Sequence, residues 1–479
     1  MPSRIKVFAQ VLIILFAVAS PVAALAGENQ SLETLLAYLK SPDAETRRDA
    51  ARRLGERRVR NQLAVEALVV AARKDDDPSV RVEAVEALGK IKDFAALEEM
   101  LASLKDDHPD VRLRSVRALV MLYTEHDIDF ITNRRAGWNM FNPFLDTSDR
   151  EIIEPYIVVE PEIINAIGEA ARSDGDRTVR VAAIRALGVL RGASAIPQLA
   201  DALSADQDVR IDVMRTFIKI GDQSAAPHLL QFFRDSNKRV QTQAMVAAGM
   251  LRYLPAVEPL LSVYGLGTER KGRIAQVKGG VKGLFSYDPE REEAALWALS
   301  LMGVVQAEQT FVENLGDKDP DRRRYAVEGL ARIADPRYMD QMSRLLLTEK
   351  DGGVKLALHF ALYKMGSNAN TQFIVRKLYT DQADQARAYL LEANDPADLY
   401  PHIKSSNKTV RREVISVLGR IGNRETIKEL EPVARTSGTE TANTATVAIK
   451  QIEWRIAGRP QATDAVIERE TRPRRTNNP

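Results

Sequence analysis

The chain has 479 residues, with 68 Lys and Arg against 66 Asp and Glu, and contains no cysteine. A net charge of +2 supplies no basic field of the kind that nucleic-acid binding needs. Without thiols there are no disulfide staples, so packing of the 45% apolar residues has to supply the stability.

The first residues stand apart from the rest. Arg4 and Lys6 form a short positive region, Val7 to Val18 is apolar except for Gln10, and Ala24-Leu25-Ala26 fits a small-x-small cleavage site. This is the layout of a secretory signal over 1–26, cleaved before Gly27. The apolar run is too short for the ~20 residues that span a bilayer, so no transmembrane segment is expected after cleavage. No cysteine follows the cleavage point to carry lipid. The expected product is a soluble periplasmic protein, not a lipoprotein, whose charges balance once Arg4 and Lys6 are removed.

Beyond residue 40 a phrase recurs about every thirty-one residues: Asp/Asn-x-x-Val-Arg-x-x-Ala-x-x-x-Leu. Its Val-type position falls at Thr46, Val80, Val111, Val179, Val209, Val240, Arg291, Arg322, Val354, Val410 and Thr441. A fixed period of this length marks a solenoid, whose units are too small to bury their apolar faces alone and stack on one another. Three positions earlier stand Asp43, Asp77, His108, Asp176, Asp206, Asn237, Asp288, Asp319, Asp351 and Asn407. All but His108 are the short polar residues that cap a helix N-terminus. Pro78, Pro109, Pro289 and Pro320 follow at the first helical position, where a missing N–H is harmless. Positions four and eight beyond the Val, such as Ala84 and Leu88, complete one helical stripe. A second apolar-periodic segment precedes each capped helix, for instance Ala95 to Leu104, Ile196 to Leu203 and Met339 to Leu347. Each unit therefore reads helix, turn, helix. The expectation is an all-α, right-handed α-solenoid of about eleven or twelve units, each leaning on its immediate neighbours, with second helices lining a curved face.

Asp77-Pro78-Ser79-Val80-Arg81 with Ala84, Leu88 and Gly89 resembles the HEAT-like repeats of the phycobilisome-lyase type. The resemblance covers about 40 to 450. It implies polar ladders between neighbouring units, built by the turn Asp and the Arg after the Val, here Arg47, Arg81, Arg112, Arg180, Arg210, Arg323 and Arg411. Gln241, Glu292 and Lys355 depart from that position, so the ladder should be altered there. A related HEAT-like group is a di-iron hydroxylase that relies on His-Glu pairs, whereas the five histidines here precede Pro109, Asp127, Leu229, Phe360 and Ile403. Bilin attachment to a cytoplasmic client does not suit an exported chain. The resemblance therefore carries the fold over and not an activity, and no cofactor or metal is expected.

Two insertions interrupt repeats at 27–123, 161–264 and 288–456. The first, 124–160, places Trp138, Met140, Phe141 and Phe144 within seven residues. These side chains either brace the solenoid or form a partner-binding patch. Tyr156 to Val159 is β-branched and suits a short extended piece. The second, 265–287, holds Arg270, Lys271, Arg273, Lys278 and Lys282 among six glycines, a cationic loop suited to an acidic partner or surface. It lacks Gly-Lys-Ser/Thr and is no phosphate-binding P-loop. A degenerate unit occupies Asp381 to Ala393, and the polar tail 457–479 should stay disordered. Of the histidines, His108 reads as a tolerated cap, His126-Asp127 as too few ligands for a metal, and His228 and His359 as packing residues. The sequence thus points to an exported, non-catalytic scaffold for a protein partner of the cell envelope, with those aromatic and basic side chains as anchors. The alternatives are an enzyme or cofactor-handling relative, or a module binding the envelope surface.

Overall fold

The computed structural model describes residues 31–124, 152–265, 289–436 and 439–458. Among them every regular element is helical. The chain forms two compact units, Met1–Leu122 and Tyr123–Pro479. In the first, three helix pairs follow one another, from Leu32–Tyr38 with Ala44–Glu56 to Leu97–Ser103 with Pro109–Met121. In the second, pairs run from Pro161–Ser173 with Arg177–Val189 to Arg424–Ala434 with Glu440–Ile456. The architecture is an α-solenoid.

The repeated phrase acts through burial. In Pro78–Ile91 the side chains of Val80, Ala84 and Leu88 are fully buried, as the spacing of four and eight requires. The polar residue before each second helix closes its first turn. Asp43 accepts from the Thr46 N–H at 2.9 Å, Asp77 from Ser79 at 2.8 Å and Asp176 from Thr178 at 2.6 Å. Asp206, Asn237, Asp319, Asp351 and Asn407 cap in the same way, while Asp288 lies outside the described residues. His108 caps too: its Nδ1 accepts from the Asp110 N–H at 3.2 Å, which requires that nitrogen to be unprotonated.

First helices are less regular than the sequence period suggests. Gln223–Arg234 and Pro396–Lys404 are 3-10 helices, not α-helices. Each carries an internal proline, Pro227 or Pro401, which has no N–H to donate and crowds the carbonyl four residues back. No strand forms at Tyr156–Val159; that stretch follows a turn closed by the Ile157 N–H on the Glu154 carbonyl at 2.9 Å.

Ladders tie neighbouring units together. The Nη1 of Arg81 donates to the Asp75 carbonyl at 3.0 Å, while Nε and Nη2 grip the Asp106 carboxylate of the next unit, both at 2.8 Å. Arg47 grips Asp75, Arg210 reaches Asp235 at 2.9 Å, and Arg323 grips Glu349. The acceptor is thus the acid two residues before the cap and not the capping residue. That same acid also receives the cap's N–H, as Asp106 does from His108 at 2.8 Å. Arg323 holds the Glu349 carboxyl down at about 2. Arg112, Arg180 and Arg411 make the carbonyl half of the ladder. Gln241 donates to the Asp235 carbonyl and has no second fork. Glu292 is buried facing Arg322 at 3.6 Å, a different pairing at the same register.

Second helices approach one another most closely near their C-terminal ends. A Cβ added to Gly89 would stand 2.7 Å from the Ala118 Cα, and one added to Gly249 would stand 2.6 Å from the Ala298 Cα. Gly55 with Ala87 and Gly419 with Ala448 repeat the contact. Small residues on both sides let backbones touch there, so the second helices fan inward at that edge. The second unit consequently curls beyond neighbour-to-neighbour packing. Tyr389 reaches Glu328 at 2.6 Å across 61 positions, Arg252 reaches Glu392 across 140, and Gln451 reaches Glu154 at 2.5 Å across 297. The expectation that each layer leans only on its neighbours is corrected by these contacts.

Gly249→Ala tests this contact. Helix propensity favours alanine by about 1 kcal/mol, but the new methyl meets backbone atoms that cannot yield, and overpacking costs ~1–3 kcal/mol. The expected result is a lower midpoint in urea unfolding, with no loss for Gly175→Ala, whose added Cβ meets nothing within 4 Å.

Candidate functional site

The ends of the second helices carry a set of interacting charges in the second unit. Glu392, just past Ala383–Leu390, gathers three of them. It accepts from the Arg332 Nη2 at 2.9 Å and Nε at 3.1 Å, and faces Arg252 at 3.5 Å. Its backbone carbonyl accepts from the Lys364 Nζ at 3.0 Å. Arg332 also donates to the Ser300 carbonyl at 3.0 Å, in the last turn of Pro289–Met302, where carbonyls lack partners within the helix. Burial opposes the charge on Glu392, yet Arg332, Arg252 and Lys364 outweigh it and hold the carboxyl below its ordinary range. Burial likewise pushes the Lys364 ammonium down.

A second polar layer lies deeper. Glu328 is almost wholly enclosed and accepts from Tyr389, whose hydroxyl in turn receives the Gln385 amide at 2.8 Å. Arg332 and Arg324 face Glu328 at 3.5 and 3.7 Å. The Tyr389 ring stacks on Phe360 at 4.2 Å, and Trp297 stacks on Tyr325 at 5.8 Å. Nearby, burial pushes the Glu293 carboxyl up to about 7, with Asp319 and Asp321 adding to the effect. Burial also raises Asp321. This cluster of carboxyls was invisible in the sequence, because Glu293 on Pro289–Met302 and Asp321 on Pro320–Ile333 stand at positions that the repeat phrase leaves variable.

Among the described residues, the exposed large apolar side chains Leu63, Val70, Phe94, Leu254, Val305, Leu347 and Tyr379 belong to first helices or the 3-10 turns beside them, and Ile456 to the last second helix. In the first unit Leu63 and Val70 are 60% and 56% exposed. They flank an open groove of about 400 Å³ shared with Leu36, Leu39 and Ala67. The short helix Leu32–Tyr38 covers only part of Gln62–Lys74, which leaves that groove open.

The anchors expected from the sequence, Trp138, Met140, Phe141, Phe144, Arg270, Lys271, Arg273, Lys278 and Lys282, lie outside the described residues, as do residues 1–30, His126-Asp127 and the tail from 459. The last part of the first insertion is described and packs as a strap: Ile153 is buried and donates to the Val189 carbonyl at 2.9 Å. His359 stacks on Phe373 at 3.7 Å, with its Nδ1 2.6 Å from Asn370, and burial pushes the imidazole down. His228 lies 6.4 Å from the Phe217 ring. Among the described residues no group of three or more His, Asp or Glu is placed to hold a metal ion, and no helix is long and apolar enough to cross a membrane.

Residues 32–120 and 164–249 match the HEAT repeats family. These stretches are HEAT repeats. No curated protein matches the chain. Its fold is similar to that of importin beta, at 13% identity, over 87% of this chain and 56% of that one, with a TM-score of 0.41. An engineered protein is 18% identical over 88% of this chain and 98% of its own, with a TM-score of 0.34. The complex of CpcE and CpcF of phycocyanin lyase from Nostoc sp. PCC7120 is 19% identical over 75% and 98%, with a TM-score of 0.26. This chain thus spans about half the length of importin beta and nearly all of the other two.

Two substitutions probe these buried charges. Glu392→Gln leaves Arg332, whose side chain is only 7% exposed, with Glu328 at 3.5 Å as its remaining carboxylate, and should cost about 2 kcal/mol in urea unfolding, less than breaking an isolated buried pair. Adding Arg332→Met should recover part of the loss. Glu293 behaves oppositely to an ordinary surface acid. Its folded value near 7 lies above the ordinary 4.5, so its contribution to stability is complete below about pH 4.5 and is lost as pH rises through 7. Glu293→Gln should flatten the fall in stability between pH 5 and 8 and raise stability at pH 8 by ~1 kcal/mol, solvent screening included.

Proposed function

We propose that this protein is an exported, non-catalytic HEAT-repeat scaffold that binds a protein partner of the cell envelope. Export rests on the signal-like segment over 1–26, and residence as a soluble periplasmic protein rests on the absence of any cysteine to carry lipid. The observation that carries the binding reading is the first-helix layer, whose exposed large apolar side chains culminate in the groove around Leu63 and Val70. Contiguous apolar surface of this kind costs free energy in water and marks a contact for another chain. The curved second-helix face, which the repeat pattern offered as the partner surface, carries the protein's own ion pairs at Glu392, Arg332 and Arg252 near its helix ends. The ladders fix the spacing of the array, so a partner meets a preorganised surface.

The partner's matching feature is an apolar helical face or extended segment. Aromatic and basic anchors in the insertions, Trp138 to Phe144 and Arg270 to Lys282, would extend the contact. The test is capture from the envelope fraction with the intact chain, with Leu63→Glu/Val70→Glu, and with chains lacking 124–160 or 265–287. Loss of the captured protein in the first variant, at unchanged helicity, is the expected outcome. Retention in all three variants overturns the choice of surface. N-terminal sequencing of the periplasmic protein should begin at Gly27, and a chain recovered intact from the cytoplasm overturns export.

A further inference from the structure

The groove around Leu63 and Val70 has a direction built into it. Its walls are the first helices of two successive units, Leu32–Tyr38 and Gln62–Lys74, and both end at one guanidinium. Arg47 donates through Nη1 to the Ser41 carbonyl at 2.9 Å, just past the shorter helix. Its Nε and Nη2 hold the Asp75 carboxylate, both at 2.7 Å, at the end of the longer one. Because residues along both helices share the groove, the walls run side by side in the same direction, with their C-terminal ends together. Carbonyls at such ends lack partners within the helix and form the negative pole of its dipole.

The charges at the rim follow the same direction. Two exposed lysines stand at the C-terminal end, Lys40 after the shorter helix and Lys74 in the last turn of the longer. Glu66, eight positions before Lys74, is exposed further down the wall and accepts from the Gln62 amide at 2.8 Å. Of the four charged residues lining the groove, Asp75 is held by Arg47, whereas Lys40, Lys74 and Glu66 form no ion pair among the described residues.

Spacing and polarity together specify what fits. Leu63 and Val70 are seven positions apart on one helix face, about 10 Å, and Lys74 lies one turn beyond. A helical ligand matches this with apolar residues at i, i+3 or i+4, and i+7. Laid antiparallel to both walls, it brings its positive N-terminal pole to their negative C-terminal poles. Acids in its own first turn, where a helix favours them, then meet Lys40 and Lys74, and a base about two turns later meets Glu66. The opposite direction sets carbonyl ends against carbonyl ends.

We propose that the groove takes an amphipathic helix of about three turns from the partner protein, antiparallel to Gln62–Lys74, with Asp or Glu in its first turn and Lys or Arg about eight positions on. This rests on the groove being the partner site and adds the order of charges that the partner must carry.

Fluorescence anisotropy of two labelled peptides, each titrated with the full chain, tests the order. Both carry the same leucine stripe at i, i+3 and i+7; one has two Glu in its first turn and Lys two turns on, and the other has these charges exchanged. The first should bind about tenfold more tightly at low salt, with the gap narrowing as salt rises. Lys40→Glu/Lys74→Glu should abolish or invert the preference. A peptide that merely forms its helix better keeps its advantage on that variant, and binding of the exchanged peptide shows the variant to be folded. Equal affinities, or a preference that the lysine variant leaves unchanged, overturn the proposal while leaving the groove as the partner site. Binding of neither peptide, or binding that survives Leu63→Glu/Val70→Glu, overturns the groove reading as well. Self-association of the chain that Leu63→Glu/Val70→Glu abolishes assigns the groove to a second copy and likewise overturns the proposal.

Discussion

The close approach of glycine to alanine between consecutive second helices is the constraint on which the rest depends. A helix pair separated by ordinary side chains sits 8–10 Å apart; here Gly89 on Ala118 and Gly249 on Ala298 leave no room for even a methyl group. In the second unit the contact is made by Gly249 on Ala298 and by Gly419 on Ala448. The same unit brings Glu392 under Arg332 and Arg252. Closing the unit also places Glu154 against Gln451.

Polar interactions then divide into two kinds. The ladders are local and repeat with the sequence: an arginine fork spans from its own turn to the acid of the next, so spacing is fixed unit by unit. The Glu392 and Glu328 clusters are neither local nor repeated, and exist only because helices two or more units apart meet. Charges buried in this way need partners to offset lost hydration, and these have several each. They fix which helices face one another more than they add to net stability.

Much of the molecule was legible in the sequence because its cause is local. Helix starts follow from Asp and Asn whose side chains reach N–H groups two or three residues on, and burial follows from spacings of four and eight. Two first helices were misjudged in kind, since an apolar pattern does not distinguish α from 3-10 geometry when Pro227 or Pro401 removes a donor midway. Which acid of the turn takes the ladder arginine was left open, because the recurrent cap and the less regular acid two residues before it, Asp75, Asp106 or Glu349, stand close together in the turn. The recurring glycine nine positions after the Val was the available sign of the close approach, and it went unread as a steric instruction.

By itself the sequence determined the repeating unit: its period, its caps, its buried stripe and the all-helical class. Each of these is settled by interactions within about thirty residues, which a linear pattern records. Only the tertiary structure decided that the second unit closes, that Glu293 and Asp321 share one buried region, and that exposed apolar surface gathers on the first-helix layer. These juxtapositions join helices far apart in the sequence, as where Gln451 meets Glu154 across 297 positions, and no short stretch of chain encodes them.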